Sequence, residues 1–242
     1  ASGKTDERFF YTAEDGGMVF RATIGGAKTS KNTLFTRTEL REMLRRGNTD
    51  IGTRGEGDDP GKNNWVFSSA PEGTQKKAGA VDGTLRATLA INHVTTTGDN
   101  IDVGQVVIGQ IHAAKDEPAR LYYQKFPGSR RGSIYVAHEP SGGDDIFVDL
   151  LGSKSSTPID PPDGIALDEK FSYEIRAEGN LLTVTISSAG EVRARETIDM
   201  SNSGYDVADD FMYFKAGVYN QNLSGDPDDY VKATFYELEN IH

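Results

Sequence analysis

Three short segments of the sequence place long polar side chains two residues apart. The segments are Arg37-Thr38-Glu39-Leu40-Arg41, Gln110-Ile111-His112 and Tyr213-Phe214-Lys215-Ala216-Gly217-Val218-Tyr219-Asn220-Gln221. Arginine, lysine, glutamine and tyrosine donate hydrogen bonds to anions. Histidine titrates near neutral pH and can therefore accept a proton. If the fold brings these side chains together, they could bind a carboxylate and move a proton beside it.

Residues two apart in a β-strand share a face, which gives each segment one polar and one apolar side. The polar faces hold Arg37, Glu39 and Arg41; Gln110 and His112; and Tyr213, Lys215, Tyr219 and Gln221. The apolar faces hold Leu40; Ile111; and Phe214, Ala216 and Val218. We therefore expect three strands with core-facing apolar sides. For any one strand alone, an ordinary solvated polar face is the alternative.

The rest of the chain has the pattern of an all-β protein. Glycine is abundant, at 27 of 242 residues, and short β-rich segments are separated by Gly, Pro, Asn and Asp. Residues 85–92 alternate, Phe171–Ala177 and Leu181–Ser187 flank a hairpin connection, and 191–199, 211–221 and 230–239 predict further strands. This spacing predicts two stacked antiparallel sheets, a sandwich or jelly roll, in a single domain over residues 1–242.

Three regions are less regular. Glu39–Arg46 is compatible with a short helix or with strand alternation. Residues 47–64, with five glycines, and 152–164, with three prolines, predict long loops that could flank a binding cleft.

Composition excludes several classes of protein. The absence of cysteine excludes disulfides, thiolate metal sites and cysteine nucleophiles. No apolar run approaches the roughly 20 residues that span a bilayer. The net charge of −11, from 37 acidic and 26 basic residues, argues against nucleic-acid binding. A local basic cluster could still bind an anionic ligand.

The three segments resemble, in their order along the chain, the signature blocks of alginate lyases of polysaccharide lyase family seven. The resemblance implies a β-jelly roll whose concave sheet binds alginate, a polymer of mannuronate and guluronate, and cleaves its 1,4-glycosidic bond by β-elimination. By motif position it implies the catalytic group Arg37, Gln110, His112 and Tyr219. It implies as substrate-binding neighbours Arg41, Lys215 and Gln221. To these we add Glu39, Tyr213 and Asn220 from the same segments, and Lys125 from Tyr122-Tyr123-Gln124-Lys125.

The chemistry of elimination suits these residue types. The C5 proton is weakly acidic, and the adjacent carboxylate must be neutralised, which Arg37 and the amide of Gln110 can do. His112 is expected to be the base for guluronate. Tyr219 is expected to be the general acid, and both acid and base for mannuronate, whose H5 lies on the opposite face. We expect nearby cations to lower the pKa of Tyr219. By the resemblance, Ile111 is associated with guluronate-containing blocks, polyguluronate or mixed.

The sequence predicts an endo-acting, monomeric, secreted or periplasmic enzyme that needs no cofactor or metal. Acidic clusters at 144–145 and 226–229 could hold calcium, but solvated loops are the simpler interpretation. A glycoside hydrolase would need two carboxylates flanking the bond, whereas Glu39 lies between arginines as an orienting partner. A non-catalytic carbohydrate-binding jelly roll and a lyase acting on another polyuronate are the remaining alternatives.

Overall fold

Two large antiparallel β-sheets stack face to face in the computed structural model, which describes residues 5–28, 33–53 and 61–242. The back sheet contains, in spatial order, β1 (Phe10–Thr12), β2 (Met18–Thr23), β16 (Tyr230–Ile241), β6 (Gly83–His93), β12 (Phe171–Glu178), β13 (Leu181–Ser188) and β14 (Glu191–Asp199). The front sheet contains, in spatial order, β10 (Ile146–Leu151), β9 (Arg131–His138), β8 (Ala119–Gln124), β7 (Gln105–His112), β15 (Tyr213–Asn220) and β3 (Arg37–Arg41). Outside these rows lie β4 (Trp65–Val66), α1 (Glu72–Gln75), β5 (Ala80–Val81) and β11 (Ile165–Ala166). The prediction of an all-β jelly-roll sandwich is confirmed.

The local turn and strand predictions are largely confirmed. Strands β12 and β13 form the expected hairpin, and Gly179 adopts a φ of 57°, a conformation that favours glycine. Strand β14 has the predicted bounds, and β15 and β16 overlap the predicted segments. The short-helix alternative for Glu39–Arg46 is wrong, because the chain stays extended to Arg41 and then turns. In an extended backbone, successive side chains of this segment point alternately to the core and to the open side of the sheet.

Alternation places the apolar faces of the three polar segments in the core, as predicted. Ile111 and Phe214 are fully buried between the sheets, and Leu40 packs against the same cluster. Large residues of the back sheet, including Phe20 and Leu89, meet them from the other side. Burial of each such side chain contributes about 1.5–3 kcal/mol, so this layer fixes which face of the front sheet is open.

The two predicted loops border the front sheet. Residues 152–164 contain no strand or helix, and Ser155 accepts a hydrogen bond from Gln124 at the end of β8. Of residues 47–64, positions 54–60 lie outside the described residues, and the remainder forms turns and bends. No helix in the described ranges has the length and apolar character needed to cross a bilayer.

A buried carboxylate joins the end of β3 to β15 and to the last described residue. Glu42, whose side chain is 3% exposed, accepts hydrogen bonds at Oε2 from the Trp65 indole (3.1 Å) and the Phe214 amide (3.0 Å). Its Oε1 lies 2.7 Å from Nε2 of His242, and Nδ1 of His242 lies 2.6 Å from the Asp82 carbonyl oxygen. Both ring nitrogens face acceptors, so both must carry hydrogen and the imidazole is held as a cation.

This contact predicts a pH-dependent contribution to stability. Burial opposes charging of His242, but its hydrogen bonds to Glu42 and Asp82 outweigh burial and raise its pKa. A raised pKa stabilises the folded state at low pH, and the contribution disappears as the pH rises through that value. We expect His242→Gln to reduce the free energy of unfolding by about 1–2 kcal/mol at pH 6, or roughly 2–6 °C in Tm, and by much less at pH 9.

Thermal melts at the two pH values measure this difference. His93→Gln is a matched control, since the His93 ring stacks on Tyr230 at 4.0 Å and forms no ion pair within the described residues. An equal loss of Tm for His242→Gln at pH 6 and pH 9 would contradict the charged contact with Glu42.

Candidate active site

The three polar segments become neighbouring strands in the order β7, β15, β3. Strand β15 lies between the others and pairs antiparallel with both. The registers place Lys215 opposite Arg41 on one side and opposite Gln110 on the other, Tyr219 opposite Arg37, and Tyr213 opposite His112. The polar side chains therefore converge on the open face of the front sheet, where a cleft is lined by β3, the end of β7 and the start of β15.

Gly217 allows this close approach of β15 and β3. Its φ is 143°, and a Cβ atom there would lie 2.4 Å from the carbonyl oxygen of Thr38. The register between β15 and β7 also shifts between Ala216 and Tyr219. A larger residue at 217 would push β3 away and separate Arg37 from Tyr219.

Glu39 organises the positive side chains of the cleft. Its carboxylate lies 2.6 Å from Nζ of Lys215 and 3.6 Å from a terminal nitrogen of Arg37, and it accepts a hydrogen bond from Nε2 of Gln110. The Glu39 side chain is only 4% exposed. One carboxylate offsets only part of the charge of two cations, so this group of three side chains keeps a net positive charge. Glu39 thus orients its neighbours, and its own charge would repel a substrate carboxylate.

Two buried polar atoms of this cluster have neither a hydrogen bond nor an ion pair in the described part of the chain. They are Nε of Arg37, a donor, and Oε1 of Gln110, an acceptor. An unsatisfied buried polar atom costs about 1–3 kcal/mol, and native proteins contain few of them. Their position beside Glu39 marks the point where a polar ligand would be bound.

Tyr219 is packed between charged and aromatic groups. The guanidinium carbon of Arg37 lies 3.6 Å from the centroid of its ring, and Phe35 contacts it edge-on at 5.9 Å. Burial raises the pKa of Tyr219, and Arg37 only partly counteracts this. The expectation that nearby cations lower this pKa is therefore wrong, because desolvation of the phenolate outweighs their attraction. The phenol holds its proton at neutral pH.

His112 lies against the ring of Tyr213, stacked at 5.0 Å with an interplanar angle of 13°. The guanidinium of Arg41 lies 3.8 Å from the centroid of the same Tyr213 ring. Burial lowers the pKa of His112, and Lys215 lowers it further, while the hydrogen bond to the Ala113 carbonyl opposes the shift. The imidazole is therefore biased towards its neutral, basic form.

Arg41 also holds the wall of the cleft. One terminal nitrogen donates to Oδ1 of Asn64 at 2.8 Å and to the Thr53 carbonyl at 2.6 Å. The other donates to the Glu42 carbonyl at 3.3 Å. These bonds tie the loop after β3 to the segment before β4 at the edge of the site.

Three residues of the predicted substrate-binding set lie outside this cluster. The side chain of Asn220 is fully buried, donates to the Asn222 carbonyl at 2.9 Å and accepts from the Asn222 amide at 3.1 Å, so its role is structural. Gln221 follows the end of β15 and donates to the Asn220 carbonyl at 3.2 Å. Lys125 follows β8 beside Gly104, at the end of the sheet away from His112. Strand alternation already places Asn220 on the same face as Phe214 and Val218, away from Tyr219, and its burial agrees with that pattern.

The sequence family follows from a match that covers the whole chain. The family model described as "Alginate lyase" matches residues 1–242. The chain belongs to the alginate lyase family. The resemblance of the three segments is thereby confirmed, as is the enzyme class, a polysaccharide lyase.

Individual alginate lyases support the same assignment. An alginate lyase of Klebsiella pneumoniae is 55% identical over 251 residues, covering 100% of this chain and 80% of that protein. The crystal structure of the alginate lyase from Klebsiella pneumoniae superposes with a TM-score of 0.95 at 54% identity, covering 100% of this chain and 87% of that one. The exolytic alginate lyase AlyA5 of Zobellia galactanivorans, at 25% identity, gives a TM-score of 0.72 and covers 98% and 89% of the two chains. The two solved alginate lyases therefore share the fold of this chain.

The sequence analysis missed one charged residue of this cleft. Glu117 lines the cleft, and its Oε1 lies 3.3 Å from Nε2 of His112. It belongs to the acidic stretch Lys115-Asp116-Glu117, which in sequence resembles an ordinary solvated loop. No local signal distinguishes it, since the contact exists only because the loop between β7 and β8 folds back over the strand.

The orienting role of Glu39 gives a testable prediction. Glu39→Gln keeps the shape but removes the charge that holds Lys215 and Arg37, and a neutral amide can turn its nitrogen towards Gln110. We expect kcat/KM on alginate to fall about 10²-fold, because catalytic donors placed where charge develops have contributions of this size. Steady-state kinetics on alginate measure the loss.

Thr38→Val is the matched control on the same strand. The Thr38 hydroxyl faces the other side and donates to the Arg21 carbonyl at 2.7 Å, so kcat/KM should stay within a few-fold of the parent. Equal kinetics for Glu39→Gln and the parent would show that the ion pairs do not position the site.

Proposed function

We propose that this chain cleaves the 1,4-glycosidic bonds of alginate by β-elimination, leaving an unsaturated uronate at the new non-reducing end. The observation that carries this proposal is that two proton-transfer groups with pKa values shifted in opposite directions lie beside the same pair of cations. Burial keeps Tyr219 protonated and favours neutral His112, beside the cations Arg37 and Lys215. Environments that push two titratable groups apart in this way are typical of acid–base pairs.

Arg37 and Gln110 are proposed to neutralise the uronate carboxylate. Arg37 has an unpartnered buried Nε beside its terminal nitrogens, a geometry that suits bidentate carboxylate binding. Nε2 of Gln110 donates one hydrogen to Glu39 and carries a second hydrogen that can donate to the substrate. Binding of this kind stabilises the charge that develops when C5 loses its proton.

The elimination then needs one base and one acid. His112 is proposed to take the C5 proton, the C5–H electrons form the C4=C5 double bond, and the C4–O4 bond breaks. Tyr219 is proposed to give its proton to the departing O4. A proton from solvent restores the phenol, and His112 returns its proton to solvent, so atoms and charge balance over the cycle.

A preference for guluronate-containing blocks is part of the proposal. H5 lies on opposite faces of the two sugars, so in this proposal His112 serves guluronate, whereas mannuronate would require Tyr219 to act first as base. The raised pKa of Tyr219 makes its phenolate scarce at neutral pH, which disfavours the second route. The Ile111 resemblance points in the same direction.

Endo action, location and assembly are proposed on more general grounds. The cleft continues past His112 to Ala114, Asp209 and Phe211, which leaves room for sugar units beyond the reacting bond. All proposed catalytic groups come from one chain, so a monomer with residues 1–242 as one catalytic domain suffices. A large anionic polymer does not cross a membrane, which supports a secreted or periplasmic location.

Ultraviolet absorbance during incubation with polyguluronate, polymannuronate and mixed alginate tests the proposal. We expect absorbance of the new double bond to rise fastest with polyguluronate or the mixed polymer, and viscosity to fall early. Reducing ends without absorbance would indicate a hydrolase. No change in either signal would indicate a carbohydrate-binding protein or a lyase for another polyuronate.

A further inference from the structure

The carboxylate of Glu117 contacts the imidazole that the proposed reaction uses as base. Nδ1 of His112 lies 2.5 Å from the Ala113 carbonyl oxygen, and Nε2 lies 3.3 Å from Oε1 of Glu117. Both side chains of the ion pair are only 21% exposed. Both ring nitrogens of His112 therefore face oxygen atoms of the protein.

When His112 is protonated, this geometry places the second ring proton between Nε2 and Glu117. A carbonyl oxygen can only accept, so the short contact to Ala113 places a hydrogen on Nδ1 and leaves Nε2 as the basic nitrogen. An unprotonated Nε2 and a carboxylate are both acceptors and would repel each other. The pair is held together only while one proton lies between them, and its loss frees Nε2.

A second layer of charged side chains lies behind Glu117. Arg120 lies 4.0 Å from Glu117 and 3.3 Å from Glu139, and it also binds Asp145. Burial, with the neighbouring carboxyl of Glu117, raises the pKa of Glu139 to about 7. Glu117 therefore has a cationic neighbour, Arg120, as well as the imidazole of His112.

Other charged and titratable groups also surround His112. Those facing it from the packed elements are Lys215 and Tyr213 on β15, Arg37 and Glu39 on β3, and Asp210 in the segment before β15. The cations favour the neutral imidazole and the carboxylates favour the charged one. In addition to these groups, Glu117 contacts Nε2 of His112 directly.

We propose that Glu117 is a positioning residue for His112. Through a shared proton, Glu117 holds Nε2 of His112 towards the cleft and sets the pH at which this base becomes free. The proposal rests on the proposed function for its effect on catalysis. On substrates that use His112 as base, the rate rises with pH only as the shared proton leaves. Glu117 acts through His112 and does not itself touch the reacting atoms.

The test compares the parent with Glu117→Gln by two independent readouts. Proton NMR of the imidazole C2–H signals, with His112→Gln used for assignment among the four histidines, gives the pKa of His112 without substrate. The pH profile of kcat/KM on polyguluronate gives the pH at which the base becomes active. Removal of the anion should lower the pKa of His112, and move the acidic limb of the profile to lower pH, by about one unit.

Asp116→Asn is the matched control. It removes the same charge from the adjacent residue, whose carboxylate accepts from the Gly142 amide at 3.0 Å, and both curves should move far less. An unchanged pKa of His112 in Glu117→Gln would overturn the shared proton. A lowered pKa with an unmoved acidic limb would overturn the positioning role while lyase activity remains. If the parent forms no double bond, the proposed function fails, and the NMR comparison still decides whether the proton is shared.

Discussion

Replacing Tyr219 by phenylalanine is expected to reduce kcat on alginate by about 10²–10⁴-fold, the usual contribution of a positioned general acid. The variant removes one oxygen and keeps the ring. The contacts of that ring with Arg37 at 3.6 Å and Phe35 at 5.9 Å therefore remain. We expect substrate affinity to change little, because the carboxylate partners stay in place. Absorbance kinetics measure kcat, and calorimetric titration with oligoguluronate measures Kd.

A matched tyrosine on the back sheet controls for general effects. Tyr236 also contacts a cation, with Nζ of Lys170 3.6 Å from its ring centroid, and Tyr236→Phe should retain parental kcat. A Tyr219→Phe variant with near-parental kcat on every block would contradict the acid assignment. A selective loss on mannuronate alone would instead move the acid role for guluronate to another group.

Arg37→Lys is expected to reduce kcat/KM by about 10²–10³-fold, although the charge is conserved. Lysine cannot form a bidentate pair with a carboxylate, and its compact ammonium cannot cover the ring of Tyr219 as the planar guanidinium does. The effect should be largest in kcat, because the pair strengthens as negative charge develops on the uronate. Separate measurement of kcat and KM on polyguluronate tests this.

Arg21 provides the matched control for Arg37. Its guanidinium carbon lies 4.1 Å from the ring centroid of Tyr230 on the back sheet, so Arg21→Lys alters the same kind of contact far from the cleft. We expect parental kinetics for that variant. If Arg37→Lys also kept parental kinetics, a simple positive charge would suffice, and the bidentate geometry would be unnecessary.

The charge distribution reconciles an acidic chain with a polyanionic substrate. The chain carries −11 in total, yet the floor of the cleft presents Arg37, Arg41 and Lys215 on adjacent strands, with Glu39 as the anion that pairs with Arg37 and Lys215. A cleft can therefore attract carboxylates whatever the net charge of the protein, because the field near a ligand depends on the closest groups. Beyond His112, Glu117 and the carboxylates around Arg120 make the surface more acidic.

Sequence patterns that span only a few residues predicted the faces of the strands, a hairpin and the family of this protein. Period-two alternation assigned Leu40, Ile111 and Phe214 to the core and Arg37, Gln110 and Lys215 to the open face. It succeeds because side-chain direction in a strand is a local consequence of backbone geometry. The hairpin at Gly179 follows from equally local rules. The three blocks together also identified the family.

The tertiary structure alone decided which strands are neighbours, and with that the burial, the pKa and the contacts of each side chain in the site. Residues 37–41, 105–112 and 213–220 are remote in sequence, and only packing of the two sheets makes β15 the partner of both β3 and β7. The pKa of Tyr219 is raised although cations adjoin it, and Glu117 reaches His112 through a returning loop. Desolvation and contact depend on what the rest of the chain places around a residue, and no local pattern records that.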